Sequence, residues 1–238
     1  MQVALFMRCS GSGGAIMNHA AGEFDESRLQ KAVETIVITP EAATKLVSGY
    51  RATFEDKFKR EPESLEDRRR IAAKIIGRYS KLSAAAGAAT AAPGVIPGIG
   101  TAVAVLGGGV TDIAVALKLQ VDMCMCLVEV YETELSSEDK KHLAFTIALA
   151  GSAEQMATKG GKAAVQKIAE KLVYQYLKGP ALVTIKQLFK RVSITFTQKA
   201  MAKAIPAGIG VAFSSSTNYV LTTVVGKVAV AVLAKDVK

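Results

Sequence analysis

The sequence predicts an all-α protein, a single multi-helix domain built around two central helices striped with glycine and other small residues. Three observations predict it. Helix start and stop signals recur along the chain at helix-length intervals. No alternating apolar–polar pattern persists, although Leu182 to Phe196 is β-branched enough to compete as a strand. Half of the 238 residues are apolar, yet only 6% are aromatic and 20 are glycine. A sizeable core must therefore be filled largely by small side chains on closely approaching backbones.

The elements follow in order. Residues 1–22 read as a flexible or non-native tail. Their apolar run is short, Arg8 follows it, and SGSGG is linker-like, so a secretory signal is not expected and Met17 is a candidate start. Residues 23–238 form the helical domain. Thr39-Pro40-Glu41 places an N-cap, a first-turn proline and a first-turn acid ahead of a helix to near Arg60. Ser64 and Asp67 resemble a capping box before a helix through Arg70, Ile75 and Tyr79, ending near Pro93. Ser136 and Asp139 start another, through Phe145 to about Ala150, with Gly151 as its stop. Gly160-Gly161 opens a basic helix that closes at Gly179-Pro180. A helix from about Ala181 to Ala204 follows, and Pro206 begins the last.

Two segments carry the stripes. Gly100, Ala104, Gly108 and Asp112 are spaced by four, as are Gly210, Ser214, Asn218, Thr222 and Gly226. Residues four apart share a helix face, so each helix presents small and polar positions that let another helix cross closely. The two are expected to pack on each other, with a polar contact linking Asp112 to Asn218 and Thr222 or Gln120 completing it. Membrane spanning is a competing reading. Residues 82–111 and 204–226 carry no charge, but Pro93 and Pro97 interrupt the first and Ser214 to Asn218 the second.

Within these segments PGVIPGIGTAVAVLGGGVTDIAVALKLQ and IPAGIGVAFSSSTNYVLTTVVGKVA resemble the EcsC family of bacterial proteins over roughly residues 80–234. The family's polar motif positions fall on Asp112, Gln120, Tyr131 and Asn218, with Leu119 and Gly226 beside them. Glu132 stands where members often carry glycine. The resemblance implies a helical fold. The family name comes from an operon that also encodes an ABC transporter, and its biochemical activity is not settled.

The inventory for catalysis is thin, so no catalytic residue is named. His19 lies in the tail, and His142 follows two lysines at a helix start, where solvent is its expected surround. Asp112, alone in an apolar stretch, is either a carboxylate of raised pKa suited to acid–base work, as in an unrecognised hydrolase, or one that accepts hydrogen bonds within the helix packing. Cys124 and Cys126 point about 200° apart on a helix and cannot share one ion, so no metal is expected. With Cys9 they make an odd number of thiols, which suits a reducing, cytoplasmic setting. No phosphate loop or dinucleotide fingerprint is present, so neither nucleotide nor another cofactor is expected.

Charge is the stronger signal. Between Lys159 and Lys203 ten basic residues face the single acid Glu170, so this segment carries the whole net charge of +9. Lys186, Lys190, Arg191, Lys199 and Lys203 are the candidate contacts to an anionic surface, with Leu182, Ile185, Leu188 and Phe189 as apolar neighbours. Nucleic acid is the less suited anion, since aromatics for stacking are few. The expected function is that of a membrane-associated accessory or interaction protein, peripheral to or partly embedded in the cytoplasmic membrane, with a protein partner or self-association as further options. The alternative is a soluble helical protein that holds an apolar ligand between its glycine-striped helices.

Overall fold

A computed structural model describes residues 26–88, 110–131, 134–157, 162–202 and 215–235. Among these residues there are eight helices and no strand. They are α1 (Glu26–Ile36), α2 (Pro40–Phe58), α3 (Leu65–Ala88), α4 (Val110–Val130), α5 (Ser137–Ala157), α6 (Lys162–Leu177), α7 (Ala181–Ala202) and α8 (Ser215–Leu233).

The starts obey the capping signals. Thr39 Oγ1 accepts from the Ala42 N–H at 3.2 Å, and Pro40 opens α2. Ser64 and Asp67 close a reciprocal box before α3. The Asp67 N–H donates to Ser64 Oγ at 3.1 Å, and the Ser64 N–H donates to Asp67 Oδ2 at 3.3 Å. The Arg60 guanidinium grips the same carboxylate at 2.7 and 2.9 Å and, with Ser64, holds Asp67 well below the usual carboxylate range. Ser136 caps α5 through the Asp139 N–H at 3.1 Å. Lys59 ends α2 in the left-handed region at φ 52°, a geometry that lets its N–H reach Glu55 O at 2.7 Å.

Two of the expectations change, and the helix expected from about Ala181 holds. Helix α1 precedes the first cap read from the sequence and buries Leu29, Ala32 and Val33. Gly151 does not stop α5, which runs on to Ala157. A Cβ at Gly151 would lie 3.1 Å from Val225 Cγ2, so glycine is there to admit α8. The Leu182–Phe196 stretch is helical within α7, because its apolar residues Leu188, Phe189 and Val192 recur at helical spacing and face inward.

Helix α4 is the axis of the fold. It packs against α1, α2, α3, α5 and α8, and every described side chain from Ile113 to Val128 is buried. Its free carbonyl end is met by cations, as the negative end of a helix dipole favours. Arg51 donates to Glu129 O at 3.4 Å and Arg68 to Tyr131 O at 3.2 Å. Helix α8 lies across α3, α4, α5 and α6. Helices α4 and α8 pack against each other, while the stretches directly after Pro97 and Pro206, where the striped helices are expected to start, lie outside the described residues. The tightest small-residue approach of α8 is nevertheless to α3, since a Cβ on Gly226 would fall 2.6 Å from Ile76 Cγ1. Gly100, Ala104, Gly108, Gly210 and Ser214 lie outside the described residues, as does the tail 1–22.

Candidate functional site

The described motif positions Gln120, Tyr131 and Asn218 fall in the interior. Gln120 is fully buried on α4, where its Oε1 accepts from Ser152 Oγ of α5. Its Nε2 meets no acceptor, nor do Asn218 Oδ1 and Thr222 Oγ1 on α8 meet a partner. Tyr131 is buried just past the end of α4, with its hydroxyl unbonded and its pKa raised by burial. The side chain of Asp112 lies outside the described residues, and so does the contact expected between it and Asn218. Gln120 is committed to α5 rather than to Asn218.

A buried acid does stand on α4, one that sequence reasoning passed over. Asp122 forms an ion pair with Lys118 one turn earlier, and both side chains are about as inaccessible as a core leucine. Asp122 Oδ1 also accepts the Ile38 N–H at 2.9 Å, tying the link between α1 and α2 to the central helix. Burial pushes its carboxyl up, while Lys118 and the Ile38 N–H oppose that push. The four-residue spacing of opposite charges was the available signal. Beside the pair, Tyr79 Oη lies 3.7 Å from Cys126 Sγ. Burial pushes the Cys126 thiol up to about 12, and the Cys124 thiol up as well, so both are reduced core residues rather than nucleophiles. Among the described residues no group of His, Cys, Asp and Glu is placed to hold a metal. His142 is part-buried rather than solvated. Its Nε2 is shielded without a partner, and burial lowers its pKa.

The outward-facing candidate is the hairpin of α6 and α7. Its turn is fixed by the Gly179 N–H donating to Tyr176 O at 3.1 Å and by Thr184 Oγ1 donating to the same carbonyl at 3.2 Å. The inner face of α7 buries Thr184, Leu188, Phe189 and Val192, with the Phe189 ring 6.2 Å from that of Phe145. Its outer face is different. Leu182 is 68% exposed, Val183 51% and Ile194 47%, and Lys186 and Lys190 stand among them. At 100° per residue, Val183, Lys186, Lys190 and Ile194 fall within one quadrant of the helix. On α6, Ile168 is likewise exposed between Lys167 and Lys171.

The predicted basic contacts divide here. Lys186 and Lys190 point outward and pair with no acid among the described residues. Arg191 turns to the Glu154 carboxylate of α5, which neutralises it. The Lys199 side chain and all of Lys203 lie outside the described residues. Leu182 borders a hollow of about 530 Å³ that contains Glu34, Glu41 and Glu138. Those acids repel an anionic surface, so the positive part of α7 begins at Lys186.

Among the described residues one helix is long and apolar enough to cross a membrane. It is Ser216–Leu233 of α8, with mean hydropathy 1.4 and 56% of it buried among the other helices. The core helix of a globular domain meets the same description.

Comparison with known proteins gives one match. No curated protein and no solved structure matches significantly. Residues 5–235 match the model of the EcsC protein family, nearly the whole chain, with both glycine-rich segments and the buried positions Gln120, Tyr131 and Asn218 inside the match. The chain belongs to the EcsC protein family.

Proposed function

We propose that this protein is a membrane-associated helical accessory or interaction protein that docks on anionic lipid at the cytoplasmic face through the outer side of α7. One observation carries the reading: aliphatic side chains and lysines that pair with no acid among the described residues share an exposed helix face. Val183 and Ile194 are exposed among the described residues, and they share one quadrant of the helix with Lys186 and Lys190. An interfacial helix has this composition, with apolar side chains entering the headgroup boundary and cations meeting lipid phosphates. Each lysine near an anionic leaflet contributes about 1 kcal/mol. The two together give weak, reversible attachment rather than insertion. A protein partner or a second copy of the chain would use the same face.

Vesicle flotation tests this. The full chain is expected to float with vesicles containing phosphatidylglycerol, to stay down with phosphatidylcholine alone, and to be released as salt rises. Val183→Asp together with Ile194→Asp should abolish flotation without changing the melting temperature. Equal flotation with both vesicle types, or no flotation with either, would overturn the reading.

A further inference from the structure

A second surface stands apart from α7, and it is concave. Helices α3 and α6 flank α8 on either side, and between them runs a groove of about 780 Å³. That volume is in the range of small-molecule sites, roughly 300–1,000 Å³. Its floor is one face of α8, namely Tyr219, Thr223, Lys227, Val230, Ala231 and Ala234. The residues span about 22 Å of helix at 1.5 Å per residue. Ala73, Ile76 and Gly77 of α3 form one wall.

Three features define what fits there. The first is shape. A Cβ on Gly77 would meet no atom within 4 Å, so the α3 backbone is bare on this side and the space beside it is open. The second is hydrogen bonding. Ser80 Oγ and Thr223 Oγ1 bond each other at 2.9 Å, and Gln166 donates to Glu170 at 3.0 Å. Ser80, Thr223 and Gln166 are therefore already engaged with protein groups. A peptide laid in the groove would lose water from its backbone without recovering partners, whereas a hydrocarbon chain loses nothing. The third is charge. The only acid on the lining, Glu170, is taken by Lys235 at 2.9 Å. Arg69 and Lys227 form no ion pair among the described residues, and both are exposed at the border of the apolar floor.

We infer that the groove over α8 binds a long-chain fatty-acid anion. The hydrocarbon chain lies along Ile76, Gly77, Val230 and Ala231, the carboxylate is held at one end of that stretch by Arg69, and Lys227 adds to the positive field of the groove. The site lies on α3, α6 and α8 rather than between the two glycine-striped helices, and it does not depend on the docking face of α7.

The chain contains no tryptophan, so Tyr219→Trp introduces a single reporter at the groove. In that background, palmitate titrated below its micelle concentration is expected to shift the emission to the blue and to saturate. Methyl palmitate and hexadecyltrimethylammonium should bind at least about fivefold more weakly, the value of one lost cation contact. Lys227→Glu should weaken palmitate by a similar factor. Gly77→Leu fills the open space and should abolish the shift. Gly49→Leu is the control, since Gly49 is also helical with open space around its Cβ but lies on α2, away from the groove. A shift that does not saturate, equal binding of all three amphiphiles, or an equal effect of the two glycine substitutions would overturn the assignment. The assay contains no vesicles, so its failure and that of the docking reading on α7 are separate results.

Discussion

Helices α4 and α7 depart from the ordinary sorting of side chains in opposite directions. On α4 two ionisable side chains, Lys118 and Asp122, are buried as a pair among core residues. On α7 three large aliphatic side chains, Leu182, Val183 and Ile194, are left outside. Buried charges and exposed apolar groups are the informative exceptions in a folded chain. The two cases differ in what compensates them. The α4 charges are answered within the molecule, by each other and by the Ile38 N–H. Nothing among the described residues answers the α7 aliphatics. An exception satisfied internally concerns the architecture, whereas an unsatisfied one points to something outside the chain.

The largest effect expected from breaking that contrast is on α4. Asp122→Ala strands the Lys118 ammonium in the core and frees the Ile38 N–H. Loss of one partner of a buried pair costs about 3–5 kcal/mol. Urea unfolding should report that loss. Lys118→Met combined with Asp122→Asn should recover most of it, because no unpaired charge is left and the asparagine keeps the size of the side chain and an acceptor for the Ile38 N–H. If Asp122→Ala is silent, the pair is not the internal answer claimed for it.

A smaller effect distinguishes two glycines of the α3–α8 region. The Gly226 Cα faces Ile76, a β-branched side chain with little freedom to withdraw. Gly226→Ala should cost about 1–3 kcal/mol as overpacking. Gly77→Ala enters open space within a helix and should instead stabilise by about 0.5–1 kcal/mol. Thermal unfolding of the two variants side by side checks the signs. The same sign for both would mean that the close approach of α8 to α3 is not what requires glycine at 226.

Much of this architecture was legible in the sequence, and the misses have physical causes. The caps at Thr39, Ser64 and Ser136 were readable because each is a local contact made within four residues. Gly151 was misread because a glycine that ends a helix and one that admits a neighbour look alike. What distinguishes them is Val225, far along the chain. Helix α1 was unread although Asp25-Glu26 has the composition of a helix start, because the helix is short and draws its stability from packing on α4 and α7. The Lys118–Asp122 pair was hidden by the apolar residues around it, although its spacing was visible. On α7 the lysines and apolar residues were grouped by spacing but not sorted. Leu188 and Phe189 belong to the core, Leu182 to the surface, and only the position of α5 beneath the helix decides which.

The smallest expected effect is on the outer face of α7, and it sharpens the comparison most. Val183 is half exposed. Surface substitutions away from caps, cavities and ion pairs usually fall within about 0.5 kcal/mol of neutral. Val183→Ser should therefore leave the unfolding midpoint where it was, in contrast to Asp122→Ala on α4. If the valine were part of a folded-state cluster, its loss would instead appear as destabilisation of the size seen for partly buried aliphatics. An unchanged midpoint together with weaker flotation on phosphatidylglycerol vesicles assigns the residue to an external surface. A lowered midpoint with unchanged flotation returns it to the fold, and the exposed aliphatics of α7 then cease to be an argument for a membrane.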